Sequence, residues 1–331
     1  MASPYRLGVV IPVFNDWDSL ELLVDEVNRV SFQQSLDIDI LVIDDGSTMR
    51  PPRELRQTLP GAIQNIEYLR LMRNVGHQRA IATGLVEAEL RSELDAIIVM
   101  DSDGEDRPQD IPALFEAHLA HPDTIVAAAR GTRSEGWWFN LFYALYRLLF
   151  RLLIGKNINF GNFCLVPRDL LSNLTHDPNT WNHVAGAISH SRLPVTYVKL
   201  NRGRRYRGKS KMNFEMLVMH GLSAISVYID LLFVRVLLLS ISVCIGAVLG
   251  IVVVVSIVLF TDLAIPGWAT NAVGILLIII FQSLIFSSSA VFFVLSMRSR
   301  PLIVPAFDAG KLIKRREVIY ARDRNAIHVS G

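Results

Sequence analysis

Cysteine is scarce: the chain has two among 331 residues, Cys164 and Cys244, in different regions. That scarcity excludes a disulfide framework and fits a reducing compartment. Net charge is nearly absent, +2 from 33 Lys and Arg against 31 Asp and Glu. Composition therefore gives no electrostatic argument for nucleic acid, which is not expected as a partner. A cleavable secretory signal is not expected either, since Leu7–Val13 is a short strand-like run broken by Pro12. His77, His183 and His190 have no metal-ligand spacing, and Trp181 reads as a packing or lipid-touching side chain.

Apolar residues are in excess. They make up 51% of the chain against 19% charged, and the mean hydropathy is +0.35. The excess lies after Asp230, so the expected organisation is one globular domain followed by a membrane hairpin.

In the first two thirds, strand-like runs alternate with helical periodicity. Leu7–Val13 leads through Phe14-Asn15-Asp16 into apolar positions 20, 23, 24 and 27, and Ile38–Ile43 ends in Asp44-Asp45-Gly46-Ser47. Ile66–Leu71 is followed by Arg73-Asn74-Val75-Gly76-His77 and a helix, and Ile97–Met100 ends in Asp101-Ser102-Asp103-Gly104. This alternation predicts right-handed crossovers and a mostly parallel α/β sheet, with the four strand ends along one edge. Ligands of open α/β sheets bind beyond the carboxyl ends of the strands. There, two acids separated by one residue can hold a hard divalent cation. The structural alternative is a turn capping the next helix, but acids recurring at two strand ends favour a site.

Further along, 137–154 is apolar and aromatic, with Arg147 and Arg151 one helical turn apart. It reads as a helix in the membrane interface, or alternatively as a buried core helix. The most basic stretch is Asn201–Lys211, which suits anionic head groups or a diphosphate, or else a solvated loop. Residues 216–235 read as a juxtamembrane amphipathic segment. Two uncharged spans follow, at 236–260 and 272–295 within 236–297, each long enough for a hydrocarbon core of roughly 30 Å. Thr261–Trp268 between them holds no Lys or Arg, whereas basic residues flank the spans on the other side. The positive-inside rule then puts both termini in the cytoplasm, with 298–331 as a basic cytoplasmic tail. That arrangement suits an integral protein of a bacterial inner membrane.

Val10-Ile11-Pro12-Val13-Phe14-Asn15, Ile43-Asp44-Asp45-Gly46-Ser47, Arg73-Asn74-Val75-Gly76, Asp101-Ser102-Asp103 and Arg205-Tyr206-Arg207-Gly208-Lys209-Ser210-Lys211 occur in that order. Together they resemble glycosyltransferase family 2. Specifically, they resemble its polyprenyl-phosphate glycosyltransferase branch, which includes dolichol-phosphate mannose synthase and the bactoprenol glucosyltransferases. The resemblance implies a GT-A fold (Rossmann-like) in residues 1–215 and a nucleotide-diphosphate sugar donor. It implies nucleotide-sugar contacts at Pro12, Phe14, Asn15, Asp16, Asp44, Asp45 and Ser210, with Asp16 standing where Glu is usual. Asp101 and Asp103 match the metal-binding pair for Mg²⁺ or Mn²⁺. Arg205 and Lys211 would act on the diphosphate, and Arg130 and Arg133 would meet the acceptor phosphate.

Two departures from the family pattern matter. Many relatives carry an acid just before the strand near Phe163, where this chain has Asn159 and Asn162. It also lacks the Gln-x-x-Arg-Trp element of processive synthases and an acid-pair general base. A lipid phosphate, ionised near neutral pH, needs no strong base.

The expected function is inverting, metal-dependent transfer of a sugar to an undecaprenyl or dolichyl phosphate in a bilayer, for cell-envelope glycan modification. A homo-oligomer is compatible with it. The alternatives are transfer to a hydroxyl of a lipid or glycan, and a non-catalytic nucleotide-sugar-binding scaffold.

Overall fold

The computed structural model describes residues 5–49, 51, 61–130, 155, 160–207, 214–299 and 302–322. The expected interfacial helix at 137–154 lies outside them. The chain divides into two compact units, one built on a sheet and one on two long helices (Tyr228–Leu302).

In the sheet unit, β1 (Arg6–Val13), α1 (Trp17–Gln33), β2 (Asp37–Asp44), β3 (Ile63–Leu71), α2 (His77–Glu89) and β4 (Ala96–Val99) come first. Then follow α3 (Ile111–Ala120), β5 (Ile125–Arg130), β6 (Phe160–Pro167), α4 (Arg168–Thr175), α5 (Val184–His190) and β7 (Val195–Leu200). The strand order is β7-β5-β6-β4-β1-β2-β3 with one further strand beyond β3. β1 pairs in parallel with β2 and β4, and β2 with β3. The carboxyl ends of these four strands therefore share one edge, as the alternation predicts. β6 runs against its neighbours β4 and β5.

Side chains alternate across a strand, so the continuous apolar runs fill two layers. Val9, Ile11, Ile40 and Val42 pack with Leu20, Leu23 and Val27 of α1 and Leu114 of α3. Val10, Leu41, Ile43, Ile97 and Val99 pack on the other face with Ile81 and Leu85 of α2 and Ile188 of α5. The result is a sheet sandwiched between helices, with both hydrophobic layers closed and the strand ends exposed at the edge.

After β7, α6 covers Phe214–Ser226, and the long helices are α7 (Ile229–Phe260) and α8 (Trp268–Arg298). Residues 229–235, expected as part of a juxtamembrane segment, are the first turns of α7. Both helices are long and apolar enough to cross a membrane, with mean hydropathies of 3.1 and 2.3, and only 11% of each apolar window is buried. Their contact is narrow: Ser240, Ala247 and Val254 of α7 are buried at seven-residue spacing, as are Ser283 and Ala290 of α8, a spacing that keeps one seam facing a partner helix. Phe233 stacks on Phe293 with ring centroids 5.2 Å apart.

The stretch after the second long helix is not simply a basic tail. After a short helix, α9 (Pro305–Asp308), residues Ile313–Ala321 form β8, antiparallel to β3 at the sheet edge. Charge matching explains its basic residues. Arg316 donates to both oxygens of Glu87, at 2.5 and 2.7 Å, and Glu87 is a buried carboxylate on α2 that would be costly without a partner.

Candidate active site

The loops after β1, β2 and β3 form one hydrogen-bonded rim. Phe14 is 40% exposed, and Asn15, which follows it, holds a left-handed φ of 51°. The Asn15 amide oxygen accepts from the backbone N–H groups of Thr48 and Met49, both at 3.0 Å. Pro12 lies inside β1, and Asp16 precedes α1.

Asp44 is fully buried; its carboxylate accepts from Ser47 N–H at 2.7 Å and from the Tyr68 hydroxyl at 2.5 Å. Burial and that carboxylate both push the Tyr68 pKa up. Asp45 accepts from Val75 and Gly76 N–H at 2.7 and 3.0 Å. Its pKa is raised by burial, against the pull of those two donors. Gly46 sits between, at φ 71°, and a Cβ there would lie 2.5 Å from the Arg73 carbonyl carbon. Glycine is required for that approach. Both members of this acid pair are thus engaged in joining the loops.

The pair after β4 is set differently. Asp103 accepts from Glu105 N–H at 3.0 Å with one oxygen, and its other oxygen lies 3.3 Å from Arg205. Burial first, then the Asp101 charge, pushes Asp103 up to about 6, against Arg205 and Arg202. Arg205 also reaches back to Asp16 at 2.7 Å. One guanidinium therefore bridges the loop after β1 and the turn after β4. The basic segment is held in place by Tyr206 N–H donating to the Asp103 carbonyl at 2.9 Å, by Gly203 N–H donating to the Glu105 carbonyl at 2.8 Å, and by the Tyr206 hydroxyl donating to Glu26. Gly104, at φ 84°, leaves room for the Tyr206 ring.

Three residues that the sequence reading left out of the site join it. His77 Nε2 lies 3.1 Å from an Asp101 carboxylate oxygen and 3.1 Å from Asn162 Nδ2. Gln78 donates to Asn162 Oδ1 at 3.2 Å and accepts from Val184 N–H at 2.8 Å. Burial works to lower the His77 pKa, but the Asp101, Asp106 and Asp103 charges outweigh it and hold it above the ordinary value. The available signal was positional: α2 begins at His77 beside the strand ends, and Asn162 lies in β6, the strand paired with β4, two residues from Cys164, the partner of Val99.

Arg130 ends β5, paired in register with Leu200 just before the basic segment. Arg133, Asn159, Ser210 and Lys211 lie outside the described residues. The structure thus brings Asp16, Asp101, Asp103, Arg205 and His77 together, and gives Asp44 and Asp45 internal partners.

Acids thus converge with a bridging arginine beyond the parallel strands. The profile of Glycosyl transferase family 2 matches residues 8–175. The chain belongs to glycosyltransferase family 2. Its sheet unit is a GT-A fold, and its relatives include the polyprenyl-phosphate branch to which the five motifs point. The prophage bactoprenol glucosyl transferase homolog of Escherichia coli K12 is 26% identical over 216 residues, 63% of this chain and 67% of that protein. The undecaprenyl-phosphate 4-deoxy-4-formamido-L-arabinose transferase of Pectobacterium carotovorum is 25% identical, covering 64% of each chain. The chain thus aligns with about two thirds of these relatives' length. Glucosyl-3-phosphoglycerate synthase from Mycobacterium tuberculosis, solved with Mn²⁺ and uridine-diphosphate-glucose, is 18% identical with a TM-score of 0.47, covering 69% of this chain and 80% of that one.

Proposed function

We propose that this glycosyltransferase moves a sugar from a nucleotide-diphosphate sugar to the phosphate of a membrane polyprenyl phosphate, with inversion at the anomeric carbon. The observation that carries this reading is the Arg205 bridge between Asp16 and Asp103. It sets a fixed cation over paired acids where a diphosphate needs charge on both sides. As the acceptor oxygen bonds to the anomeric carbon, the bond to the nucleoside diphosphate breaks and the leaving group takes the electron pair. Arg205 is positioned to hold the charge that develops there, and Lys211 and Ser210 are proposed partners in the same loop. Pro12, Phe14 and Asn15 frame the nucleoside, and Asp44 and Asp45 support that frame through the hydrogen bonds they make. Arg130 and Arg133 are proposed for the acceptor phosphate.

The residues fit a divalent cation. Two carboxylates stand one residue apart, and burial first, then the Asp101 charge, raises the Asp103 pKa against the pull of Arg205 and Arg202. Among the described residues no third acid, histidine or cysteine completes a metal cluster. That suits Mg²⁺ or Mn²⁺, which take one or two carboxylates and fill the remaining positions with phosphate and water. Bound at Asp101 and Asp103, such a cation would neutralise the diphosphate.

A phosphate acceptor also suits Asn162. That buried amide lies beside His77, with its Nδ2 3.1 Å from Nε2, and has no basic lone pair for a hydroxyl proton. A phosphomonoester with a second pKa of about 6 is already ionised at neutral pH. Two exposed apolar helices would hold the enzyme in the bilayer where an isoprenoid acceptor resides. The charge pattern favours cytoplasmic termini and an inner-membrane location.

The test is transfer of radiolabel from nucleotide sugars to undecaprenyl phosphate by the purified chain with Mg²⁺. An acid-labile glycolipid is expected. Acid-stable product would indicate a hydroxyl acceptor, and no transfer from any common donor would overturn the reading.

A further inference from the structure

The amides beside Asp101 have a polarity that the backbone dictates. Val184 N–H can only donate, so the Gln78 atom facing it at 2.8 Å is the carbonyl oxygen, and the other end of Gln78 is its –NH₂ group. That group lies 3.2 Å from Asn162, which makes the contacted atom Oδ1 and turns the Asn162 –NH₂ toward His77. Asn162 Nδ2 lies 3.1 Å from His77 Nε2. A donor needs an acceptor, so in the neutral ring Nε2 carries no proton and the proton sits on Nδ1. The same Nε2 is 3.1 Å from Asp101 Oδ1. A ring protonated at Nε2 would donate to Asp101 but set N–H against N–H at Asn162, a buried side chain that would then lose its acceptor.

We propose that Gln78 and Asn162 are positioning residues, a two-amide relay anchored on Val184 N–H. The relay holds His77 as the Nδ1–H tautomer, so that His77 does not compete as a donor with a divalent cation for Asp101. This rests on the reading of Asp101 and Asp103 as cation ligands.

The experiment is ¹⁵N NMR of the full chain in nanodiscs with labelled histidine, at about pH 9, well above the ordinary imidazole pKa. The His77 signal is assigned by its loss in His77→Gln. The expected wild-type pattern is a protonated Nδ1 and an unprotonated Nε2. Gln78→Glu keeps the size and still accepts from Val184, but its second oxygen cannot donate. Asn162 must then turn its –NH₂ toward residue 78 and its oxygen toward His77, so the expected tautomer becomes Nε2–H. The Mg²⁺ concentration for half-maximal transfer should also rise about tenfold, in line with other changes to groups around a metal ligand. An added negative charge acting alone would lower it, so the sign of the change decides.

A wild-type His77 protonated at Nε2 overturns the relay, even if Gln78→Glu fails to fold. A Gln78→Glu spectrum unchanged from wild type, or a lowered Mg²⁺ requirement, does the same. The tautomer is read without turnover. The expected tautomer in a chain that transfers no sugar would overturn the glycosyl-transfer reading instead.

Discussion

Two acid pairs end the two parallel strands that flank β1, and in the sequence they look alike. Asp44 closes β2 and Asp45 follows it, whereas Asp101 and Asp103 follow β4. The first pair is turned inward: a tyrosine hydroxyl and three backbone N–H groups take its oxygens, and Asp44 has no exposed surface. The second pair faces charged and titratable side chains, Arg205 and His77. The difference follows from what comes next in the chain. The β2 loop turns at Gly46 into contact with the loop before α2, and its acids are consumed in joining them. The β4 turn is met by a basic segment with side-chain charge to offer. Acids saturated by backbone donors stabilise a fold, whereas acids that repel each other are available to a ligand.

The sharpest way to break this contrast is to remove one charge from each pair. Asp103→Asn should lower sugar transfer by about a thousandfold, equivalent to about 4 kcal/mol of transition-state stabilisation, measured with labelled donor and lipid phosphate, while the protein still folds. Asp44→Asn should do the reverse. It leaves a buried amide facing the Ser47 donor and the Tyr68 hydroxyl, and should cost about 3 kcal/mol of stability in denaturant unfolding. Transfer per folded molecule should change far less. Equal loss of activity in both variants would mean that Asp44 touches substrate after all.

The sequence carried the strand-end acids and the basic segment because both depend on local signals: apolar runs that stop at Asp, and a glycine-punctuated run of Arg and Lys. It also carried the long apolar helices. What it hid was non-local. β8 pairs with β3 across some 240 residues of chain, and its Arg316 only makes sense once Glu87 is seen buried on α2. His77 looked bland because its spacing to other metal-ligating types is irrelevant; its neighbours Asp101 and Asn162 arrive through strand pairing. The choice between Asp44 and Asp101 as ligand-facing acids was equally hidden, since it turns on which backbone N–H groups the loops present.

Stability offers a finer test in chelator. The Asp103 pKa is raised from 3.8 to about 6 by burial and Asp101. A raised acid favours its protonated form in the fold. Its contribution to stability is therefore fully present below pH 3.8 and lost as pH rises through about 6. Asp103→Asn removes that loss, so the variant should be more stable than wild type by about 1 to 2 kcal/mol at pH 8 and by much less at pH 4.5. The measurement is urea unfolding at both pH values with EDTA. A pH-independent difference would mean that Asp103 is not charge-strained and that the contrast between the pairs is only one of exposure.

The smallest expected effect on transfer comes from Tyr68→Phe, which deletes one hydroxyl donor to Asp44 and nothing at the other pair. Ser47 N–H still holds Asp44, and Arg70 lies 3.6 Å from it, so the carboxylate keeps charge compensation. The cost should be about 1.5 kcal/mol, at the low end for a hydrogen bond to an ionised group. Because Asp44 would keep its place, the KM for the donor should stay within about twofold, a difference of about 0.4 kcal/mol. A larger rise in KM with the same small stability loss would show that the Asp44 carboxylate swings toward the nucleoside once Tyr68 lets it go. The inward-facing pair would then be a reserve of ligand contacts held back by one phenol.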